Sequence, residues 1–312
     1  MLKAFKYRIY PNKKQMERID KNIGCVRWIY NYALAKKMKA WQQEKKNLSR
    51  FDLQKDIPDL KRQKETEWLK EADAKALIFS LLNLDNAYQK FFKEHKGYPN
   101  FKSKKNAKQN YTTYQGINVD WDNQKLNIAK NKGIKIKLHR NFEGEAKQVT
   151  ISKTPTSKYY ASILVDTKDK EKTKYKVNEK TAIGIDLGIK TFITISDGRK
   201  IENPRILYRY EKKLSREQKR LSKKKNGSNN KEKQRIKVAR IYEKVTNIRK
   251  DFLHKLSYEL THENQVKSIV MENLNINGML KNCHLSKAIA NVSWKKFVEL
   301  LAYKCDWYGV NL

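Results

Sequence analysis

Two acids set at apolar strand-like runs are the residues of this sequence best placed to do chemistry. Thr181-Ala182-Ile183-Gly184-Ile185-Asp186-Leu187-Gly188 holds Asp186 inside one such run, and Lys267-Ser268-Ile269-Val270-Met271-Glu272-Asn273-Leu274 ends a second on Glu272. A carboxylate within an apolar strand is costly to bury unless a metal ion or a donor compensates it. If the two strands lie side by side, Asp186 and Glu272 converge on one divalent cation, and oxygen ligands suit Mg²⁺ or Mn²⁺. Two such ions about 3.5 to 4 Å apart stabilise the attacking and leaving oxygens of a phosphodiester displacement. Either acid alone reads as an ordinary strand-end residue; the pair, with a charged helical segment between, carries the expectation.

A second group of residues could hold the substrate of such a reaction. Gly97-Tyr98-Pro99-Asn100-Phe101-Lys102-Ser103-Lys104-Lys105 interleaves aromatic rings Tyr98 and Phe101 with Lys102, Lys104 and Lys105, a mixture that stacks on bases and holds phosphates at once. Between the acids, Lys223, Lys224, Lys225, Arg235, Lys237, Arg240 and Lys244 belong to a strongly cationic run, better explained by a nucleic-acid backbone than by solvation alone. The whole chain agrees: 312 residues carry 70 Lys+Arg against 33 Asp+Glu, a net charge of +37, which asks for a polyanionic partner. An Ile-Gly-Ile-Asp-Leu-Gly strand also opens the phosphate-binding lobe of actin-like ATPases. That function requires Gly-rich phosphate loops, whereas Gly188 is followed by Ile189-Lys190 and the chain holds 11 Gly.

The elements that must position these residues follow from periodicity. Phe5, Tyr7 and Ile9 alternate with Lys6, Arg8 and Tyr10, a half-buried strand ended by Pro11. Asn12 and Gln15 form a capping box for a helix with Met16, Ile19, Ile23, Val26, Tyr30 and Ala33 on one face. A second helix carries Leu77, Leu81, Leu84, Tyr88 and Phe91 and closes near Gly97. From about 110 to 167 the period becomes two, giving a small barrel or meander that the first strand joins. Residues 182–198 read as a hairpin, and 205–262 as two helices around an Asn226-Gly227-Ser228 turn, the second packing through Ile236, Ile241, Val245, Ile248 and Phe252. Cys25, Cys283 and Cys305 form neither a disulfide framework nor a zinc motif, and no apolar run approaches a membrane span.

In these segments the chain resembles the TnpB proteins of bacterial insertion sequences, compact relatives of type V CRISPR effectors. The likeness runs from Met1 to Leu312, with landmarks in family order: Lys3 to Pro11, Gly97 to Lys105, Gly184 to Gly188, Val270 to Leu274, and Ser293-Trp294 with Tyr308-Gly309. It implies an α/β multidomain protein. A wedge-like β-barrel (1–10 and 110–177) with an inserted helical recognition domain (11–109) is followed by an RNase H-like (RuvC) α/β nuclease domain (178–312) bearing the basic helical hairpin. It also implies a guide RNA, recognition of a short motif beside the target, R-loop formation and Mg²⁺-dependent cleavage of target double-stranded DNA.

Asp186 matches the first RuvC acid and Glu272 the second. The third, an Asp expected beyond a four-cysteine zinc ribbon, has no counterpart, and Val310-Asn311-Leu312 would begin the strand leading towards it. The expectation is therefore an incomplete nuclease domain, no zinc in this chain although complete members carry it, and weak or absent cleavage. The alternative is a nuclease-silent RNA-guided binder acting as a repressor. A bacterial cytoplasmic, nucleoid-associated monomer with its RNA is the expected state. Nothing resembles the His-x-His and Tyr nucleophile chemistry of strand-transfer enzymes.

Overall fold

A computed structural model describes residues 1–105, 108–169, 172–263, 266–279 and 286–312. The chain divides into two units, Met1–Asp169 and Lys170–Leu312, and is an α/β multidomain protein. In the first unit the alternation of Phe5, Tyr7 and Ile9 builds β1 (Leu2–Tyr10), whose Tyr7 and Ile9 are fully buried. Three helices follow: α1 (Lys13–Glu44), α2 (Arg50–Arg62) and α3 (Ala74–Glu94). Then come β2 (Gln109–Thr113), β3 (Asn118–Asp120), β4 (Lys125–Ile128), β5 (Asn131–Lys137), β6 (Glu145–Lys153) and β7 (Tyr159–Asp166). All seven strands form one antiparallel sheet in the order β2-β6-β7-β1-β5-β4-β3, so β1 is central and the helices are an excursion between two strands of one sheet.

Helix α1 starts at the reciprocal box read from the sequence. Asn12 N donates to Gln15 Oε1 at 2.8 Å, and Gln15 N to Asn12 Oδ1 at 2.9 Å. Gln15 Nε2 then reaches the Lys132 carbonyl at 2.9 Å, tying the helix start to β5. Ile19, Ile23, Val26, Ile29 and Leu34 of α1 and Leu77, Leu81 and Leu84 of α3 share one buried core with the sheet. Helix α3 ends on His95 in the left-handed conformation (φ +48°), with Lys96 N bonded to the Lys90 carbonyl, so the cap falls two residues before Gly97.

The second unit opens with β8 (Ala182–Leu187), β9 (Thr191–Ile195) and β10 (Lys200–Glu202), an antiparallel run. The hairpin α4 (Ile206–Ser222) and α5 (Asn229–Tyr258) then returns the chain to β11 (Ser268–Met271), which pairs parallel to β8, as a long helical crossover permits. Helices α6 (Ile276–Met279), α7 (Ser286–Val292) and α8 (Trp294–Tyr308) follow, and Gly309 caps α8 at φ +78°. Beyond it Asn311 bridges Ser268 in parallel, extending the order β10-β9-β8-β11 by one rung. Phe192, Leu253, Phe297 and Leu301 are buried at the centre of this unit.

Helix α5 packs on α4 through Val238 and Ile241, and Val245 is buried one turn on, whereas Ile236 is half-buried and Ile248 is 38% exposed. The buried row thus keeps Ile241 and Val245 of the stripe read from the sequence, adds Val238 and leaves out Ile248. Cys25 and Cys305 are buried free thiols, pushed up to about 11 by burial; Cys283 lies outside the described residues.

Candidate active site and basic surfaces

The two acids lie at the same end of neighbouring strands. The last paired rung between β8 and β11 joins Ile185 to Met271, and each acid is the very next residue of its chain. Laterally paired residues of parallel strands share a face, and neighbouring strands run about 4.8 Å apart. Ile185 and Ile269 are buried, whereas Asp186, Val270 and Glu272 are exposed, the alternation that a period of two demands. On its other side Asp186 pairs with Thr194 of β9, a neighbour the sequence reading left out.

Two backbone features hold β8 in place around the acid. Gly184 N donates to Ser196 Oγ at 3.0 Å, and Gly188 N to the Phe192 carbonyl at 3.2 Å. At Gly188 the turn is so tight that a Cβ would stand 2.4 Å from the Thr191 carbonyl oxygen. Asp186 itself is exposed, so the cost of burying a carboxylate, which first singles it out in the sequence, does not arise. Two exposed carboxylates that each follow the same rung are a hard-oxygen donor set suited to Mg²⁺ or Mn²⁺. Among the described residues, neither forms an ion pair and no group of three or more His, Cys, Asp or Glu side chains could hold a metal ion.

The residues chosen for nucleic-acid binding fall into distinct environments. Tyr98 and Phe101 are 42% and 53% exposed, and Lys104 and Lys105 are exposed beside them. Tyr98 also packs edge-on against Tyr88 and Phe91, with its hydroxyl 2.8 Å from that of Tyr88. Lys102 is placed differently. Its Nζ sits 3.8 Å over the Tyr30 ring, its backbone exchanges two hydrogen bonds with the Asn31 side chain, and burial pulls its ammonium down to about 8.

On the hairpin, Lys223, Lys224 and Lys225 are exposed where α4 ends, and Lys237, Arg240 and Lys244 are exposed along α5. Lys244 Nζ lies 5.3 Å over the Tyr210 ring. Arg235 is held by Glu232 through two bonds of 2.8 and 2.6 Å, which raises its already high pKa and cancels its charge locally. Buried Glu217 accepts from Gln234 Nε2 at 2.7 Å and from Arg220 at 2.8 Å, so its carboxyl is held below the usual range, chiefly by the Gln234 bond. Trp41 and Phe92, absent from the sequence-based set, are exposed at the ends of α1 and α3.

Residues 162–283 match the OrfB_IS605 family, described as "Probable transposase", and residues 1–46 match its associated "Helix-turn-helix domain". In this chain those first 46 residues are β1 and the single long helix α1. A Streptomyces pristinaespiralis protein assigned as an RNA-guided DNA endonuclease is 36% identical over 314 residues, spanning 99% of this chain and 76% of that protein. InsQ of Escherichia coli K12, with the same assignment, is 29% identical over 99% of this chain and 79% of its own length. Among solved structures, a Cas12f1–sgRNA–target DNA complex aligns with a TM-score of 0.56 at 13% identity. That alignment covers 95% of this chain and 72% of the other, a likeness of fold. Among the described residues no helix is long and apolar enough to cross a membrane.

Proposed function

We propose, from the premise that this chain belongs to the TnpB (OrfB, IS605) family of RNA-guided DNA endonucleases, that Asp186 and Glu272 are its metal-binding acids. The observation that carries the proposal is the parallel register of β8 and β11, which makes the two residues successors of one rung. A bound Mg²⁺ would supply charge stabilisation for the developing oxyanions of phosphodiester hydrolysis and a deprotonated water as nucleophile. Asp186 and Glu272 would hold the cation by their carboxylate oxygens, and the exposed sheet end leaves the scissile phosphate room to approach. Thr194, paired with Asp186, bounds the site on the β9 side. The guide RNA would read sequence by pairing while the protein holds backbone, and the exposed cations of α5 are the proposed contacts to that backbone.

A site that rests on two acids holds its cations loosely, because each bridging oxygen removed gives up part of the charge that binds the ion. The alternative is RNA-guided binding that represses without cutting, in which neither acid takes part. The test is plasmid cleavage by the chain loaded with RNA transcribed from its own locus, with Mg²⁺, beside Asp186→Ala. Cutting that disappears in the variant supports the nuclease. Cutting that persists removes Asp186 from the chemistry, and tight guided binding without any cutting favours the repressor.

A further inference from the structure

Where α1 and α3 end, their last turns enclose an open cavity of about 490 Å³ walled by Trp41, Tyr88, Phe91, Phe92 and Tyr98. The rings are set at varied angles: Tyr88 and Phe92 stack at 6.2 Å, while Tyr98 stands edge-on to Tyr88 and Phe91. Three of the five are left open to solvent, Phe92 at 66%, Trp41 at 55% and Tyr98 at 42% exposure, and the first two are the least covered. Single exposed aromatics are ordinary, but a cluster of them around a cavity marks a binding surface. The polar part of the wall is cationic, with Lys37, Lys46 and Lys93 against the single acid Asp85. Lys37 is structural, since it bonds Asn47 Oδ1 and the Leu48 carbonyl and lies 4.9 Å over the Tyr88 ring. Lys46 and Lys93 are exposed at the mouth.

Charge decides between occupants. A second copy of this chain brings a further +37 and would press like charge on like. A nucleic acid brings phosphates for the two lysines and flat rings for the aromatic walls. Duplexes keep their base faces stacked away, so an aromatic cleft rewards bases splayed out of pairing, the form in which proteins most often read RNA. The volume lies within the range of about 300 to 1,000 Å³ that small ligand groups occupy. We infer that this cleft takes unpaired bases of RNA, stacked between Trp41 and Phe92 with Lys46 and Lys93 on the flanking phosphates. The inference rests on the RNA-guided reading and adds to it a contact separate from the cationic hairpin.

The test uses the full chain and two probes, a hairpin RNA with an unpaired loop of about eight nucleotides and the same stem closed as a continuous duplex. Trp41→Ala with Phe92→Ala removes two exposed rings, and circular dichroism checks that the fold is kept. Loop-RNA affinity is expected to fall about tenfold or more, while duplex affinity stays at the wild-type level. Lys237→Glu with Arg240→Glu should instead weaken both probes. Equal loop-RNA binding by the aromatic variant and the wild type would overturn the inference, as would a shift in oligomeric state, which would make the cleft a protein contact. Failure of the wild-type chain to prefer any RNA would count against the RNA-guided reading itself.

Discussion

Replacing Lys237, Arg240 and Lys244 together by alanine is expected to change how DNA binding responds to salt more than how it ranks sequences. The three cations fall on one face of α5, at intervals of three and four residues, and all are exposed, about 100° around the helix from the buried row of Val238, Ile241 and Val245. Each cation that neutralises a phosphate adds about 0.9 to the slope of log affinity against log salt, so three lost contacts remove about 2.7. Over a fourfold rise, from about 50 to 200 mM, the wild type should lose about 40-fold more affinity than the triple variant. Arg235 is an internal control on the same helix. Its guanidinium is already clamped by Glu232, and a neutral pair releases no counterion, so Arg235→Ala should leave the slope nearly unchanged. Fluorescence anisotropy of a labelled duplex across that salt range reads all three proteins. A triple variant with the wild-type slope, or an Arg235→Ala slope that falls as far as the others, would refute the reasoning.

Other consequences can be measured on the unloaded chain. Glu272→Gln and Asp186→Asn should each weaken Mg²⁺ binding by about tenfold or more in calorimetry, since each removes a charged oxygen ligand; unchanged heats would remove the residue from the site. Lys304 is 6% exposed, donates to the His254 carbonyl and Ser257 Oγ, and is pulled down to about 8 by burial. The unfolded chain binds the extra proton between about 8 and 10.4, so stability should rise with pH across that window, by about 3 kcal/mol at most. Urea unfolding of the wild type and Lys304→Met isolates this contribution: the stability difference should move in favour of the wild type from pH 8 upward, and a flat difference contradicts it. Gly188→Ala forces a methyl against the Thr191 carbonyl and should cost about 1 to 3 kcal/mol, read as a lower Tm; an unchanged melting curve would mean the turn yields freely.

Much of this architecture was open to reading because local rules and tertiary structure agree there. The alternation of β1, the Asn12–Gln15 box, the 182–195 hairpin and the helix ended by Gly309 all speak through short-range periodicity or capping. Helix α2 gives little local signal, although Ser49 and Asp52 form a capping box, because it buries just Leu53, Ile57 and Leu60 and carries a proline. The α5 stripe is only partly legible for a related reason. The hairpin packs on three aliphatics and seats a Glu217–Gln234 contact in its interior, so counting apolar residues finds Ile241 and Val245 but misses Val238 and includes the exposed Ile248. Within the lysine run at 102–105 nothing local marks Lys102 as the one lying on an aromatic ring. That depends on Tyr30 and Asn31, about seventy positions away. Trp41 and Phe92 likewise belong to separate helices and become a pair through the packing of α1 on α3.

The two acids stand apart from these cases, because their pairing depends on the register of two strands more than eighty residues apart. A slip of one residue between β8 and β11 would turn Glu272 to the other face while leaving Asp186 where it is. What resists the slip is apolar: Ile183 with Ile269 and Ile185 with Met271 share rungs, Ile269 is 2% exposed, and its neighbour Val270 is 63% exposed. Exchanging those two environments would forfeit the burial of an isoleucine, worth about 1.5 to 3 kcal/mol. Asn311 adds a polar lock, donating to the Lys267 carbonyl from its backbone and accepting from Ile269 N at 2.8 Å. The ends of β8 and β11 are thus aligned by apolar rungs and a backbone lock, not by the acids that follow them. That is why the apolar letters around Asp186 and Glu272 carry as much functional information as the acids themselves.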